Sequence, residues 1–279
     1  MSSTEDHRNF YANFVVRSAG SSDSKLITAF ATTERERYVG AGPWSVFVNS
    51  DYISTVSADP RLLYQDIVVS LAADRKINNG QPTLHARCLS ACTPVRGESV
   101  VHIGVGTGYY SAILAALVES EGRVFGYEIE EDLADRARAN LQHLSNVEIT
   151  TASASEGRLP GADVIYVNAG ATHPVPAWLD ALNVGGRLIF PLTPKQGFGV
   201  MLLITRLAAG GYAAQVVLPV AFIPCVGARD EDGSQALTTA IQNRMIFSAK
   251  SLQRGTVPDA SACYVGNGWW LSNSAHAVS

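Results

Sequence analysis

The sequence is poor in charge and in sulfur. Of its 279 residues 16% are charged and four are cysteine. Lysine and arginine number 21 against 25 aspartates and glutamates, and no basic run breaks the formal net charge of −4. Such a chain offers a phosphate backbone no electrostatic footprint, so nucleic acid is not expected as a partner. Long apolar runs are also missing. The most apolar stretch, "GVMLLITRLAAGGYAAQVVLPVAFIPCVG", is cut by Arg206, Gly210-Gly211 and two prolines before it reaches the ~20 residues of a membrane span. No membrane partner is expected. "MSSTEDHRNFYANF" is polar and lacks the apolar core of a signal peptide, so the expectation is a cytoplasmic protein.

Six histidines show neither H-x-x-x-H nor H-E-x-x-H spacing, and no metal is expected. Cys88 and Cys92 stand four apart on a predicted helix. Two thiols on one helix face would suit a metal, but the Cys-x-x-Cys loops of zinc sites are missing, and a structural pair is the favoured reading.

From Val100 onward, apolar runs of strand length alternate with helical patterns. Strands are predicted at 100–104, 123–129, 147–152, 163–169, 186–192, 199–206 and 214–224, and helices near 82–93, 109–120, 131–143 and 174–183. Buried strands separated by helices read as parallel βαβ units with both sheet faces covered. The last two strands, joined by "LAAGGY", read as an antiparallel edge hairpin. The fold class expected is therefore α/β, with a mostly parallel seven-stranded sheet.

The flanks are harder to read. "SAGSSDSK" is a loop or linker, "ATTERERY" a short helix and "GAGPWSVFVN" a turn-rich segment. In the tail, "RDEDGS" reads as a turn, "QALTTAIQNRMIFSAKSLQR" as a helix and "YVGNGWWLS" as a strand with Asn-Gly turn chemistry, Trp269 and Trp270 closing a core. These divisions give an N-terminal extension over 1–75, a core over 76–229 and a C-terminal extension over 230–279.

The stretch "VVHIGVGTGYYSAILA" at 100–115 carries most of the functional information. The dinucleotide fingerprint G-x-G-x-x-G needs a glycine where Tyr109 stands; the glycines here are Gly104, Gly106 and Gly108, a compressed G-x-G-x-G. With Glu128 ending the next strand, 24 residues after Gly104, this turn resembles the cofactor motifs of the class I methyltransferases that use S-adenosylmethionine. Glycines let the backbone approach a ligand, a helix starts there, and a carboxylate accepts both ribose hydroxyls. The resemblance extends further. "ERERYVG", "YQD", "GQP", "VPAWLDALNVGGRLIFPL", "MLLIT" and "VLPVAFIPCVG" occur in the order of the protein-L-isoaspartate O-methyltransferase family, over about residues 34–229. The run from "GRLIFPL" to "FIPCVG" is the most specific part.

The resemblance implies a Rossmann-like class I methyltransferase fold and S-adenosylmethionine as cofactor. It places Gly104, Gly106, Thr107, Gly108 and Tyr109 at the cofactor turn, Glu128 and Ile129 at the ribose, Ser153 and Ala154 at the adenine, and His102 and Asn168 nearby. Three positions depart from the family pattern. Gly80 stands where the active-site Ser-x-Pro has serine, His102 where motif I carries an acid, and Ser153 where an acid meets the adenine amino group. His102 has two readings, a buried hydrogen-bonded strand residue and a contact near the cofactor's amino group.

Asn79 and Thr83 are candidates to supply the missing hydroxyl or another donor, although "NNGQPT" also reads as a turn into a helix with Pro82 in its first turn. His85 reads either as a substrate-facing group or as a partly exposed helix histidine. Asn168 and His173, in "NAGATHPVP" after the fourth strand, lie where open α/β sheets bind ligands.

A carboxylate is already an anionic nucleophile and needs no general base, which suits a sequence with no evident base or metal cluster. With the serine missing, the expected reaction is carboxylate O-methylation of a modified peptide or a small metabolite. Two rivals stand beside it: attack on the cofactor's methionine side chain releasing methylthioadenosine, and a non-catalytic binding module. The oligomeric state is not encoded in any motif.

Overall fold

The computed structural model describes residues 3–276; Met1, Ser2 and residues 277–279, at the ends of the expected extensions, lie outside the described residues. In chain order the elements begin with α1 (Thr4–Ser18), α2 (Ser24–Thr32) and α3 (Glu36–Val39). Two small hairpins follow, β1 (Ser45–Val48) with β2 (Asp51–Ser54) and β3 (Ser70–Ala72) with β4 (Ile77–Asn78). Then come α4 (Pro82–Cys92), β5 (Ser99–Ile103), α5 (Tyr109–Val118), β6 (Arg123–Glu128), α6 (Glu131–Leu141), β7 (Val147–Thr151), β8 (Ala162–Val167), α7 (Pro176–Ala181) and β9 (Leu182–Leu192). The chain continues through β10 (Gly199–Arg206), β11 (Tyr212–Val220), α8 (Glu231–Gln242), β12 (Ser251–Arg254), β13 (Ala262–Val265) and β14 (Trp269–Ser272).

Hydrogen-bonded strand order is β13-β14-β12-β11-β10-β9-β8-β5 in one compact unit, and β6 pairs with β7 in the other. All seven expected strands are present, and the tail adds three more, β12, β13 and β14. The helix expected over 235–254 ends at Gln242; Arg244 turns into the left-handed region, and "SLQR" pairs as a strand with β11 and β14. The turn expected at "RDEDGS" lies partly inside α8, and "YVGNGWWLS" folds back as the β13–β14 hairpin. The helix expected over 174–183 stops at Ala181, since Leu182 already pairs with Ala162.

The chain forms two compact units, Met1–Glu98 with Val105–Ala152 and Ser99–Gly104 with Ser153–Ser279. In the first, α1 opens on a reciprocal cap, Ser3 Oγ accepting from the Asp6 amide and Asp6 accepting from the Ser3 amide. Tyr11, Phe30, Tyr38 and Tyr109 meet edge to face. Residues 1–60, hard to read from pattern, thus supply an aromatic core. The parallel β6–β7 pair and α6, which buries Leu133, Ala134, Ala137 and Leu141, complete this unit.

In the second unit, β5–β8 and β8–β9 pair parallel, and β9, β10 and β11 pair antiparallel; the expected β10–β11 hairpin is present but does not form the edge, because β12, β14 and β13 pair on beyond β11. Trp178 of α7 is wholly buried, edge to face with Phe190 of β9. Trp269 and Trp270 are buried, as expected. Each fully buried large apolar side chain contributes about 1.5–3 kcal/mol relative to exposure.

Candidate functional site

The glycine turn leaves β5 and enters α5. Gly104, Gly106 and Gly108 all sit in the left-handed region, with φ of +75°, +59° and +101°, where a side chain is strained. In the first unit, the Gly106 amide donates a 2.6 Å hydrogen bond to Oε2 of Glu128, and the Glu130 amide donates 3.1 Å to Oε1. Glu128 is 6% exposed. Burial raises its pKa above the ordinary glutamate value, opposed by these amide hydrogen bonds. The Ile129 amide is also directed at this carboxylate, which offers about four acceptor positions in all. Thr107 is buried, its hydroxyl donating to the Tyr38 carbonyl at 2.5 Å while its own carbonyl accepts from Asn140 at 2.9 Å. The Tyr109 hydroxyl lies 3.2 Å from that of Tyr11, and Ile129 is 44% exposed beside Glu128.

In the second unit, the Asn168 amide nitrogen lies 2.8 Å from Nε2 of fully buried His102. The amide NH₂ donates, so Nε2 accepts and the imidazole carries its proton on Nδ1. Burial pushes the His102 pKa down to about 3, and the residue is buried and hydrogen-bonded to Asn168. The Asn168 amide donates 2.8 Å to the Ile103 carbonyl, and a β-carbon at Gly104 would lie 3.4 Å from the Asn168 carbonyl carbon. Ser153 Oγ is 2.7 Å from Ser155 Oγ, and the Ala154 carbonyl accepts 2.7 Å from Trp178 Nε1. His173 is half-buried beside the Thr172 hydroxyl at 3.2 Å, and burial lowers its pKa. The "FIPCVG" segment is tied to "NAGATHPVP" by Gly170, whose amide donates to Ile223 at 2.7 Å and whose carbonyl accepts from Cys225 at 2.9 Å.

Three further candidates, Asn79, Thr83 and His85, lie in the first unit, whereas His173 lies in the second. Asn79 Oδ1 accepts from the Val69 amide at 2.9 Å, and Asn78 Oδ1 from the Gly80 amide at 3.0 Å. His85 is 2% exposed, and its ring stacks on Tyr110 with centroids 3.7 Å apart; it is not a partly exposed helix histidine. Pro82 opens α4 as expected. Pattern reading missed Asp66, whose carboxylate accepts from the Thr83 amide at 2.7 Å and from Gln81 Nε2 at 2.8 Å. The motif "YQD" signalled it, but not the contact. Also missed were Tyr110 and buried Arg35, whose guanidinium donates to the Leu63, Gln65 and Ile67 carbonyls.

A family model described as Protein-L-isoaspartate(D-aspartate) O-methyltransferase (PCMT) matches residues 15–230. The chain is 34% identical over 169 residues to a protein-L-isoaspartate O-methyltransferase of Ignicoccus hospitalis, covering 59% of this chain and 79% of the relative. It is 30% identical over 216 residues to that of Koribacter versatilis, covering 76% and 87%. Among solved structures, a protein-L-isoaspartate O-methyltransferase superposes with a TM-score of 0.66 at 21% identity, over 91% of this chain and 74% of that one. A Plasmodium falciparum structure in complex with S-adenosyl-L-homocysteine superposes with a TM-score of 0.62 at 18% identity, over 79% and 98%. The fold is that of these methyltransferases.

Proposed function

Because the chain belongs to the protein-L-isoaspartate(D-aspartate) O-methyltransferase family, we propose that it uses S-adenosylmethionine to methylate a carboxylate on a modified peptide or a small metabolite. The observation that carries the reading is the Glu128 carboxylate bound to the Gly106 amide with acceptor capacity to spare. The glycine turn fits the cofactor as well, since its left-handed φ values give the backbone a close approach that side chains would obstruct.

When bound, S-adenosylmethionine supplies a sulfonium methyl group that a carboxylate oxygen attacks, the bonding pair staying on sulfur. Gly104, Gly106 and Gly108 shape the turn, with Thr107 and Tyr109 fixing its exit into α5. Glu128 holds the ribose hydroxyls, flanked by Ile129. His102, Asn168, Ser153 and Ala154 are the proposed neighbours of the cofactor's amino-acid and adenine ends. Asn79, Thr83, His85 and His173 are proposed on the acceptor side. Residues 1–75 serve as acceptor-side cap, 76–229 as catalytic core and 230–279 as an extension. The four free, buried thiols suit a reducing compartment, in keeping with a cytoplasmic enzyme.

The test is mass spectrometry of the products formed from S-adenosylmethionine with and without an isoaspartyl peptide or free carboxylate metabolites. S-Adenosylhomocysteine appearing only with acceptor, and an acceptor heavier by one methyl, is the expected result. Methylthioadenosine released without any acceptor sinks the proposal.

A further inference from the structure

The β3–β4 hairpin of the first unit reaches the proposed ribose carboxylate from two sides. A β-carbon built on Gly106 would lie 3.2 Å from Cδ1 of Leu71, so that side chain stands beside the glycine whose amide holds Oε2 of Glu128. Leu71 is also packed against the buried cluster of Val39, Trp44, Val46, Leu63 and Val69. Its carbonyl accepts from Arg136 of α6 at 3.1 Å. The base of the hairpin is thereby fixed.

The tip is held separately. Residues 73–76 form a turn, the Lys76 amide donating to the Ala73 carbonyl at 3.2 Å. Arg75 in this turn takes both oxygens of Asp132, at 2.8 and 2.7 Å, and donates to the Glu130 carboxylate as well. Such a two-pronged fork is the most specific geometry an arginine and a carboxylate can adopt. Glu130 is also the residue whose amide holds Oε1 of Glu128. The hairpin therefore runs from the Gly106 side of Glu128 to the Glu130 side, joined to one by Leu71 and to the other by Arg75.

The two attachments differ in strength. Leu71 belongs to an apolar cluster, whereas the Arg75 and Asp132 side chains are 33% and 55% exposed. Ion pairs so exposed add little to stability and are screened by salt. That suits a contact which opens and closes while the base stays packed.

We infer that the β3–β4 hairpin is a clamp over the ribose end of the cofactor, with Leu71 as a further cofactor-contacting residue and Arg75 as the latch that sets the rate of cofactor exchange. This rests on the S-adenosylmethionine reading above and deepens it. Arg75 acts through the hairpin and is a positioning residue. Its pairs are made within the chain, so the latch forms with or without cofactor and slows entry and departure alike.

The experiment uses the full chain and S-adenosylhomocysteine, with association and release rates from stopped-flow mixing, Kd from calorimetry and hydrogen exchange of the cofactor-free protein by mass spectrometry. R75A is expected to raise both rates about fivefold, the loss of one exposed ion-pair network, with Kd within about twofold of wild type and faster exchange over residues 71–77. R75K, which keeps the charge and loses the fork, should fall between. D132N should act in the same direction, and less in the R75A background than alone. Wild type at roughly 0.5 M salt should approach R75A. L71A should raise Kd about tenfold by uncovering the ribose. R75A with wild-type rates and exchange, or with faster release alone, overturns the latch while the function stands. L71A with unchanged Kd removes Leu71 from the cofactor and overturns the clamp. A wild-type protein that binds no S-adenosylhomocysteine overturns the cofactor reading and the inference together.

Discussion

The Gly106 main-chain amide donates a 2.6 Å hydrogen bond to Oε2 of Glu128, so the glycine turn and the acid after it form one unit before any ligand enters. Burial raises the Glu128 pKa above the ordinary 4.5, and hydrogen bonds from the Glu130, Gly106 and Ile129 amides oppose that shift. Between the unfolded and the raised folded pKa, the folded state keeps a proton that the unfolded state has lost. Apo stability therefore declines as pH rises through that window and is flat above it. The ribose contact proposed for Glu128 needs the ionised form, so S-adenosylmethionine affinity is expected to climb over the same interval. Glu128→Gln should weaken binding by roughly 10–100-fold, as charge-assisted hydrogen bonds are lost, and flatten both pH dependences. Calorimetric titrations at several pH values check this.

Gly108 opens α5 at φ +101°, and a β-carbon there would lie 2.7 Å from Cδ1 and 3.0 Å from Cγ of buried Leu141. Gly108→Ala combines left-handed strain with overpacking and should cost about 2–4 kcal/mol. Gly106→Ala meets nothing nearer than the flexible end of Leu71, at 3.2 Å, so strain alone applies, about 1–2 kcal/mol. Urea denaturation of both variants, with the Gly106 variant the more stable, is the expected outcome; equal losses contradict the steric account.

Fully buried His102 is neutral in the folded protein down to about pH 3, against an ordinary value of 6.5, because burial penalises its cation. Between those values the unfolded chain binds a proton that the folded chain does not. Stability should fall as pH drops below 6.5, by a total on the order of 4 kcal/mol at pH 3. His102→Gln, with an amide to meet Asn168, should lose this component of acid sensitivity. Thermal melts of both proteins between pH 4 and 7 read the difference.

What pattern reading found and missed follows from the range of each signal. The strands from β5 to β11 are continuous apolar runs, and the glycine turn is local, so both are legible. The tail helix ends at Gln242, and the chain turns at left-handed Arg244 with no glycine or proline to announce it. Residues 1–60 were obscure because their core is made of tyrosines and Phe30 drawn from distant segments, a geometry with no period. The Gly80 departure was visible, but not that His85 lies against it, because that contact depends on the left-handed backbone of Gly80 itself. The family was legible in short motifs, whereas contacts between distant segments leave no local signal.

Asp66 shows this most directly, and it sets the last expectation. Gln81, the residue capping α4, makes no side-chain cap. Asp66 supplies it from 17 residues away, accepting from the Thr83 amide at 2.7 Å, while its other oxygen takes Gln81 Nε2 at 2.8 Å. An anion at a helix N-terminus is also favoured by the helix dipole. Asp66→Ala should cost about 1–2 kcal/mol, in the range of a lost N-cap, and should loosen the segment that carries Asn79, Gly80 and His85. Acceptor KM should rise severalfold with the cofactor Kd unchanged, since neither the glycine turn nor Glu128 touches Asp66. Asp66→Asn retains one acceptor oxygen for the Thr83 amide and should fall between the two. A variant that loses cofactor affinity instead would mean that Asp66 supports the whole unit and not the acceptor segment.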